Sequence, residues 1–277
     1  MDRTLTPTDG VVYETENGTA LVTAYAGTAG RVVIADRYRG LPVTDIAGEA
    51  FRDCTHLREL CLPQGLTAIG REAFRDCTGL HAVTLPDSVS SIGFGAFRGC
   101  TSLPRVELPQ GITVLDFDTF AGCTALVDVT LPAGLTVIGG RAFEGCTALR
   151  EIRLPESLRT LGAEAFSGCE ALAAVRFAGG VAEIGAAALA RCRSLTALHL
   201  PEGTVSIGHS AFKACTALTA LSLPQSLAEV GWEAFHLCKA LSVIEMPAPN
   251  AALARRLRQV MGRPAYKRLT IRFTQTD

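Results

Sequence analysis

The feature that most constrains this chain is a cysteine that returns every 23 residues. Nine cysteines follow this spacing, from Cys54 to Cys238, and a Phe or, once, a Leu stands three residues before each of them. A fixed period of this length is typical of solenoids, in which each repeat packs against its neighbours and all share one core. The sequence therefore predicts one elongated array.

The aligned repeats share the pattern L-x-x-(V/L/I)-x-L-P-x-(G/S)-(L/V/I)-x-x-I-G-x-x-A-F-x-x-C. Alternating apolar residues in L-x-x-V-x-L predict a strand, which the following Pro ends because it has no N–H to donate. Apolar residues three to four apart in I-G-x-x-A-F-x-x-C predict a short helix or 3₁₀ turn. The Gly column of this segment has two exceptions, Ala47 and Asp116. We interpret it as the N-cap of that helix and not as a position of positive φ.

Both ends of the chain predict caps for the array. Asn17-Gly18, between alternating apolar residues, indicates a β-hairpin. Near the other end, Asn250 is expected to begin a helix that Gly262 and Pro264 stop, and a closing strand should follow at Leu269, Ile271 and Phe273. We therefore divide the chain into an N-terminal cap at 1–40, the repeats at 41–247 and a C-terminal cap at 248–277.

Over residues 11–247 these repeats resemble the BspA-like, Treponema-type leucine-rich repeat family. The upstream segments Arg31–Ile34 and Gly40–Ile46 are similar to the start of that family's domains. The resemblance implies an α/β solenoid that is right-handed, with a parallel sheet on the concave face and short helices or 3₁₀ turns opposite. It also implies a protein that binds other macromolecules, often a bacterial surface protein that adheres to host matrix or to other cells.

Charge is balanced over the whole chain, with a formal net charge of −1, but it is uneven along it. After residue 249, seven basic residues stand against Asp277 alone: Arg255, Arg256, Arg258, Arg263, Lys267, Arg268 and Arg272. This basic end could meet an acidic partner or a second copy, or it is a solvated amphipathic cap. The balanced total, and the lack of aromatic residues among the basic ones, argue against nucleic-acid recognition.

The location of the protein stays open at this level. No apolar run is long enough to span a membrane, and no apolar stretch of a signal peptide follows the first residues. The family resemblance favours export to the cell surface, whereas the visible N-terminus favours the cytoplasm.

The ten cysteines do not follow a metal-binding pattern, since no C-x-x-C pair occurs. The nine spaced cysteines share an inward position with Phe and Leu, so we expect a reduced and buried column. Cys61 occupies an exposed strand position and is expected to be the one reactive thiol. Its potential base His81 lies on the order of 10 Å away on the next strand, too far for a catalytic pair. We expect no enzyme, no cofactor and no metal site.

The exposed face of the predicted sheet is the remaining candidate for function. It is charged in the middle of the array and mostly small and neutral beyond it. The candidate ligand-binding residues are Arg105, Glu107, Asp128, Arg150, Glu151, Arg153 and Arg176. They form a docking surface for a protein or glycan ligand, or they pair with one another and keep the sheet soluble. The alternative function is a structural or self-assembling scaffold that acts through its caps, although we expect a monomer.

Overall fold

The computed structural model describes residues 6–247, 251–266 and 269–273. The chain forms a solenoid in which each repeat is one turn and contacts the turns before and after it. Each turn consists of a strand of one sheet, a shorter strand of a second sheet and a run of tight turns. The core lies inside as one continuous cluster of apolar side chains.

The strands follow the repeat. Five precede the regular part: β1 (Val11–Glu16), β2 (Thr19–Tyr25), β3 (Arg31–Val33), β4 (Arg37–Tyr38) and β5 (Leu41–Ile46). The repeats then contribute β6 (Glu59–Cys61), β7 (Ala68–Ile69), β8 (Ala82–Thr84), β9 (Ser91–Ile92), β10 (Arg105–Glu107), β11 (Val114–Leu115), β12 (Asp128–Thr130), β13 (Val137–Ile138), β14 (Glu151–Leu154), β15 (Thr160–Leu161), β16 (Ala174–Phe177), β17 (Glu183–Ile184), β18 (Ala197–His199), β19 (Ser206–Ile207), β20 (Ala220–Ser222), β21 (Glu229–Val230) and β22 (Val243–Met246). Helix α1 (Ala251–Tyr266) and β23 (Thr270–Phe273) follow.

The repeats build two parallel sheets. The even-numbered strands β6 to β22, with β3 before them and β23 after them, form what we call the first sheet; the odd-numbered strands β5 to β21 form the second. Paired repeat strands are in register at the repeat length, so that Val106 lies beside Val129 and Ile138 beside Leu161. Ahead of the second sheet, β1 and β2 form an antiparallel hairpin, and its turn residues Asn17 and Gly18 have φ of 50° and 82°. Positive φ at both positions is typical of a type I′ turn.

Two columns of side chains organise the core. The phenylalanine rings stack from Phe51 to Phe166 with ring centroids 5.1 to 5.6 Å apart, and Leu189 interrupts this stack. From Cys77 to Cys238, each column thiol donates a hydrogen bond of 3.0 to 3.3 Å to the carbonyl of the Phe, or of Leu189, one repeat earlier. Cysteine is therefore both a small core residue and a donor that ties successive turns together.

We expected a short helix or a 3₁₀ turn after each Gly column; the described repeats form no helix there, only single turns closed by hydrogen bonds between residues three apart. Hydrogen bonds close single turns, as from Cys77 N to Phe74 O at 3.2 Å, while other N–H groups donate to the next repeat, as from Phe74 N to Ala96 O at 2.8 Å. Glu72 and Asp76 have φ of 52° and 56°, and equivalent residues in other repeats share this conformation. Left-handed residues cannot continue a helix, so the segment is a chain of turns bonded across repeats.

The Gly column is explained by close approach and not by helix capping. Its glycines are absent from the residues with positive φ. A Cβ on Gly139 would lie 2.8 Å from the backbone carbonyl carbon of Asp116, and one on Gly185 would lie 2.6 Å from Ala163 N. Successive turns thus approach so closely here that a side chain has no room.

The C-terminal helix differs from the expected one at its end. Helix α1 continues through Gly262 and Pro264 to Tyr266, although both residues were expected to stop it. The expected cap residue Asn250 lies outside the described residues. Strand β23 pairs with β22 in parallel, with Ile271 beside Ile244.

One junction between repeats, which we call the seam, is interrupted in both sheets. In the first sheet β8 and β10 are unpaired, and in the second sheet β9 and β11 are unpaired. Pro104 stands just before β10 and has no N–H to offer to the preceding repeat, whereas the equivalent His81 and Val127 each donate a bond of 2.9 Å. The first sheet has two further interruptions, between β12 and β14 and between β16 and β18, which have no proline.

On the second-sheet side of the seam, Asp116 stands where the other repeats carry the column glycine. Gly139 N donates to Leu115 O at 2.8 Å, but the equivalent bond from Asp116 N to Ile92 O is not formed. The tight turns still join the two repeats, since Cys123 Sγ donates to Phe97 O at 3.2 Å. The two repeats at the seam are therefore unpaired in both sheets but are hydrogen-bonded through their tight turns.

Candidate interaction surface

The candidate ligand-binding residues lie on or beside β10, β12, β14 and β16 of the first sheet. Core residues such as Val106 and Ile152 alternate with them and are buried, so the charged side chains face solvent. The side chains of Arg105 and Arg153 are 74% and 81% exposed. The backbone of the sheet thus presents this charged surface without any need for a loop.

Arg105 and Asp128 form the first ion pair of this surface. They are directly opposite each other on β10 and β12, and Arg105 Nε lies 3.0 Å from Asp128 Oδ2. A pair this exposed stabilises a protein by about 0.2–1 kcal/mol. It orients both side chains more than it stabilises the fold.

Glu151 forms a second cluster with two arginines. Its carboxylate accepts hydrogen bonds from Arg176 at 2.8 and 3.3 Å and from Arg153 at 3.2 Å. Arg153 and Arg176 lie opposite each other on β14 and β16, so Glu151 separates two like charges. The bonds from Arg176 are the main cause that lowers the pKa of the Glu151 carboxyl and raises the pKa of Arg176.

Glu107 and Arg150 are exposed but are not brought into either cluster. Neither makes an ion pair with another residue in the described part of the chain. Pairing between neighbouring charges, one of the two alternatives for this face, is therefore observed for five of the seven candidate residues and not for these two.

A groove lies on this face at the seam and was missed from the sequence. Its volume is about 480 Å³, and it lies between β8 and β10. Val83 at its floor is partly exposed, whereas the other members of its core column, from Leu60 to Ile244, are buried. Polar side chains form the walls: His81, Asp87, Arg105, Glu107 and Gln110. The signal in the sequence was Pro104, which no other repeat carries at that position.

The cysteines are all free thiols, and two are partly exposed. Cys61 accepts a weak hydrogen bond from Arg31 at 3.8 Å. Cys238 belongs to the inward column, yet it borders a cavity of about 230 Å³ with Val260 and Met261 of α1. The expectation that every column cysteine is buried is thus wrong at Cys238, because no further repeat covers it.

The basic C-terminal segment is partly engaged with the solenoid itself. Arg256 donates to Val230 O at 2.7 Å and lies over the Trp232 ring, 5.2 Å from its centroid. Arg272 lies 3.8 Å from Glu245. Arg256 and Arg272 thus attach α1 and β23 to the last repeats.

Among the described residues, no three or more His, Cys, Asp or Glu side chains converge as a metal site would need. In the same part of the chain, no helix has the length and apolar character to cross a membrane.

Three solved structures are similar to this chain. A leucine-rich repeat protein of T. pallidum is 26% identical, with a TM-score of 0.62 over 98% of this chain and 99% of that one. A leucine-rich cell surface protein of Faecalibacterium prausnitzii is 22% identical, with a TM-score of 0.39 over 91% and 97%. The pneumococcal vaccine antigen PcpA is 14% identical, with a TM-score of 0.44 over 98% of both chains. A comparison with curated proteins gives no match.

The family model for the BspA type leucine-rich repeat region matches this chain in six copies, over residues 44–173 and 141–256. These matches span the repeats with the phenylalanine and cysteine columns, and the T. pallidum protein shares their architecture. The chain belongs to the BspA-type leucine-rich repeat family.

Proposed function

We propose that this chain is a non-enzymatic interaction module that binds a protein or glycan ligand through the exposed face of the first sheet. The observation that supports this proposal is the exposed charged surface on β10 to β16, where ion pairs hold five of the seven candidate side chains in place. A preorganised charged surface on a rigid sheet gives a partner fixed positions to match. Export to the cell surface, where such ligands occur, is part of the proposal and rests on the family alone.

Arg150 and Arg153 are the residues that test it. Both are exposed, and Ile152 between them points into the core, so changing both alters the surface potential and leaves the packing intact. The experiment is a capture assay in which the whole chain is presented to host-matrix proteins and to cell-wall glycans. We expect R150E/R153E to weaken capture by about tenfold or more, and raised salt to weaken it in the wild type because exposed charges are screened over about 8–10 Å.

The matched control reverses two basic charges on the helix instead. Arg255 and Arg258 are exposed residues of α1, and this helix contacts β21 of the second sheet. R255E/R258E should bind as the wild type does. If it abolishes capture while R150E/R153E binds normally, the basic helix is the site and the sheet-face proposal is wrong.

Self-association is a second candidate, favoured by β23. This strand is the last of the first sheet among the described residues, and Phe273 on it is 55% exposed. An uncovered strand edge with an exposed aromatic residue is a template for pairing with another chain. Sedimentation velocity tests it: a dimer that F273D converts to monomer supports association through this end, and a monomer at all concentrations excludes it.

A further inference from the structure

The groove at the seam has an apolar floor and uneven walls. Val83 is partly exposed in the lining of the groove, β8 and β10 are unpaired, and Pro104 adds a second apolar surface to the lining. The volume of about 480 Å³ falls within the range of about 300–1,000 Å³ that is usual for ligand pockets. The groove can therefore hold a side chain with an apolar stem.

The charges around the groove do not cancel. The Arg105 side chain points towards β12, where its Nε lies 3.0 Å from Asp128 Oδ2. His81 lies 4.0 Å from Glu59 on the other side. The two carboxylates of the lining, Asp87 and Glu107, are exposed and make no ion pair with any described residue. The charge left unmatched in the groove is negative.

An apolar floor beneath unmatched carboxylates is complementary to a long cationic side chain. Lysine and arginine bury their methylene stems along apolar surface and keep the charged group among polar partners. A neutral glycan offers no charge to match Asp87 and Glu107. Charge complementarity therefore favours a basic peptide.

We infer that the seam groove binds a lysine or arginine side chain presented by an extended segment of a partner protein. The stem lies over Val83 and Pro104, and the charged group meets Asp87 and Glu107. This inference rests on the proposed function, because it gives the chemistry of a partner for the same sheet face.

The test measures binding of a fluorescein-labelled hexalysine peptide by fluorescence anisotropy at physiological salt, with hexaglutamine as the uncharged control. D87N/E107Q removes the two unmatched charges. T84W keeps both charges but fills the groove, since Thr84 is an exposed residue of β8 in its lining. E183Q/E229Q is the matched control, because it removes two exposed charges from the second sheet.

We expect hexalysine to bind the wild type and E183Q/E229Q equally, and to bind D87N/E107Q and T84W about tenfold more weakly. Three results would overturn the inference: no binding to the wild type, equal losses in E183Q/E229Q, or full binding to T84W. Displacement of the labelled hexalysine by a neutral cell-wall glycan would also overturn it. The capture assay with R150E/R153E is independent, so the proposed function can survive each of these results.

Discussion

Replacing Phe143 with Ala should destabilise the array by about 3–5 kcal/mol, the usual cost of deleting a buried aromatic side chain. Phe143 is fully buried, and its ring stacks between Phe120 at 5.6 Å and Phe166 at 5.1 Å. Each aromatic pair contributes about 0.5–1.5 kcal/mol beyond burial, so the loss of two neighbours places the cost near the upper end. The measurement is the free energy of unfolding from urea titration, followed by far-UV circular dichroism.

Two variants bracket this prediction. Phe143→Leu should cost about 1–3 kcal/mol, less than Phe143→Ala, because it loses both aromatic pairs but keeps most of the volume, and Leu189 already fills this column position in another repeat. Phe273→Ala removes a ring that is 55% exposed and should change stability little. A loss for Phe143→Ala no greater than that for Phe273→Ala would refute the argument that the ring stack carries the core.

Three further predictions concern the seam and the thiols. Phe74→Ala should lower amide hydrogen-exchange protection in the repeats N-terminal to the seam more than in those C-terminal to it. The reason is that each repeat is stabilised only by its neighbours, and the two repeats at the seam share no strand hydrogen bonds. A uniform loss of protection along the array would contradict this. Burial raises the pKa of Cys123 to about 12. The protonated thiol therefore contributes fully to the free energy of unfolding below about pH 9, and this contribution is lost as pH rises towards 12. In Cys123→Ala the free energy of unfolding should fall less steeply over the same alkaline range. Thiol titration of the folded protein should find two fast groups, Cys61 and Cys238, because both are partly exposed and the other cysteines are buried; one fast group, or several more, would contradict the observed burial.

The sequence was sufficient for the architecture because the period sets the register. Once residues 23 apart must be equivalent, Val106 can lie only beside Val129, and the strand and core positions follow in every repeat. The phenylalanine and cysteine columns could be identified for the same reason. What the period cannot indicate is the conformation of a segment with mixed signals.

The segment after the Gly column was predicted as a short helix or 3₁₀ turn because its apolar residues recur every three to four positions. The deciding residues are Glu72 and Asp76, which have positive φ and whose N–H groups donate to the next repeat at 2.8 and 2.7 Å. A contact between turns thus overrode a local pattern. The ion pairs between exposed residues could not be predicted either, because Glu151 lies near both Arg153 and Arg176 and the sequence does not show which of them binds it more closely.

The groove could have been anticipated only in part. Pro104 was visible as the one proline in its column, and a missing donor at a strand junction follows from its chemistry. That Asp116 interrupts the second sheet at the same junction depends on how closely the turns approach there. Only the three-dimensional spacing shows that the two irregularities meet.

The ladder of thiols that donate to phenylalanine carbonyls has a consequence for the surroundings in which the folded protein can persist. Each bond uses the S–H proton, so the repeats require reduced sulfur, but burial holds the pKa of Cys146 and Cys169 well above the ordinary value and withholds the thiolate on which oxidants act. The interior therefore resists disulfide formation without help from a reducing environment. The folded repeats can therefore keep the same thiol hydrogen bonds in the cytosol and outside the cell.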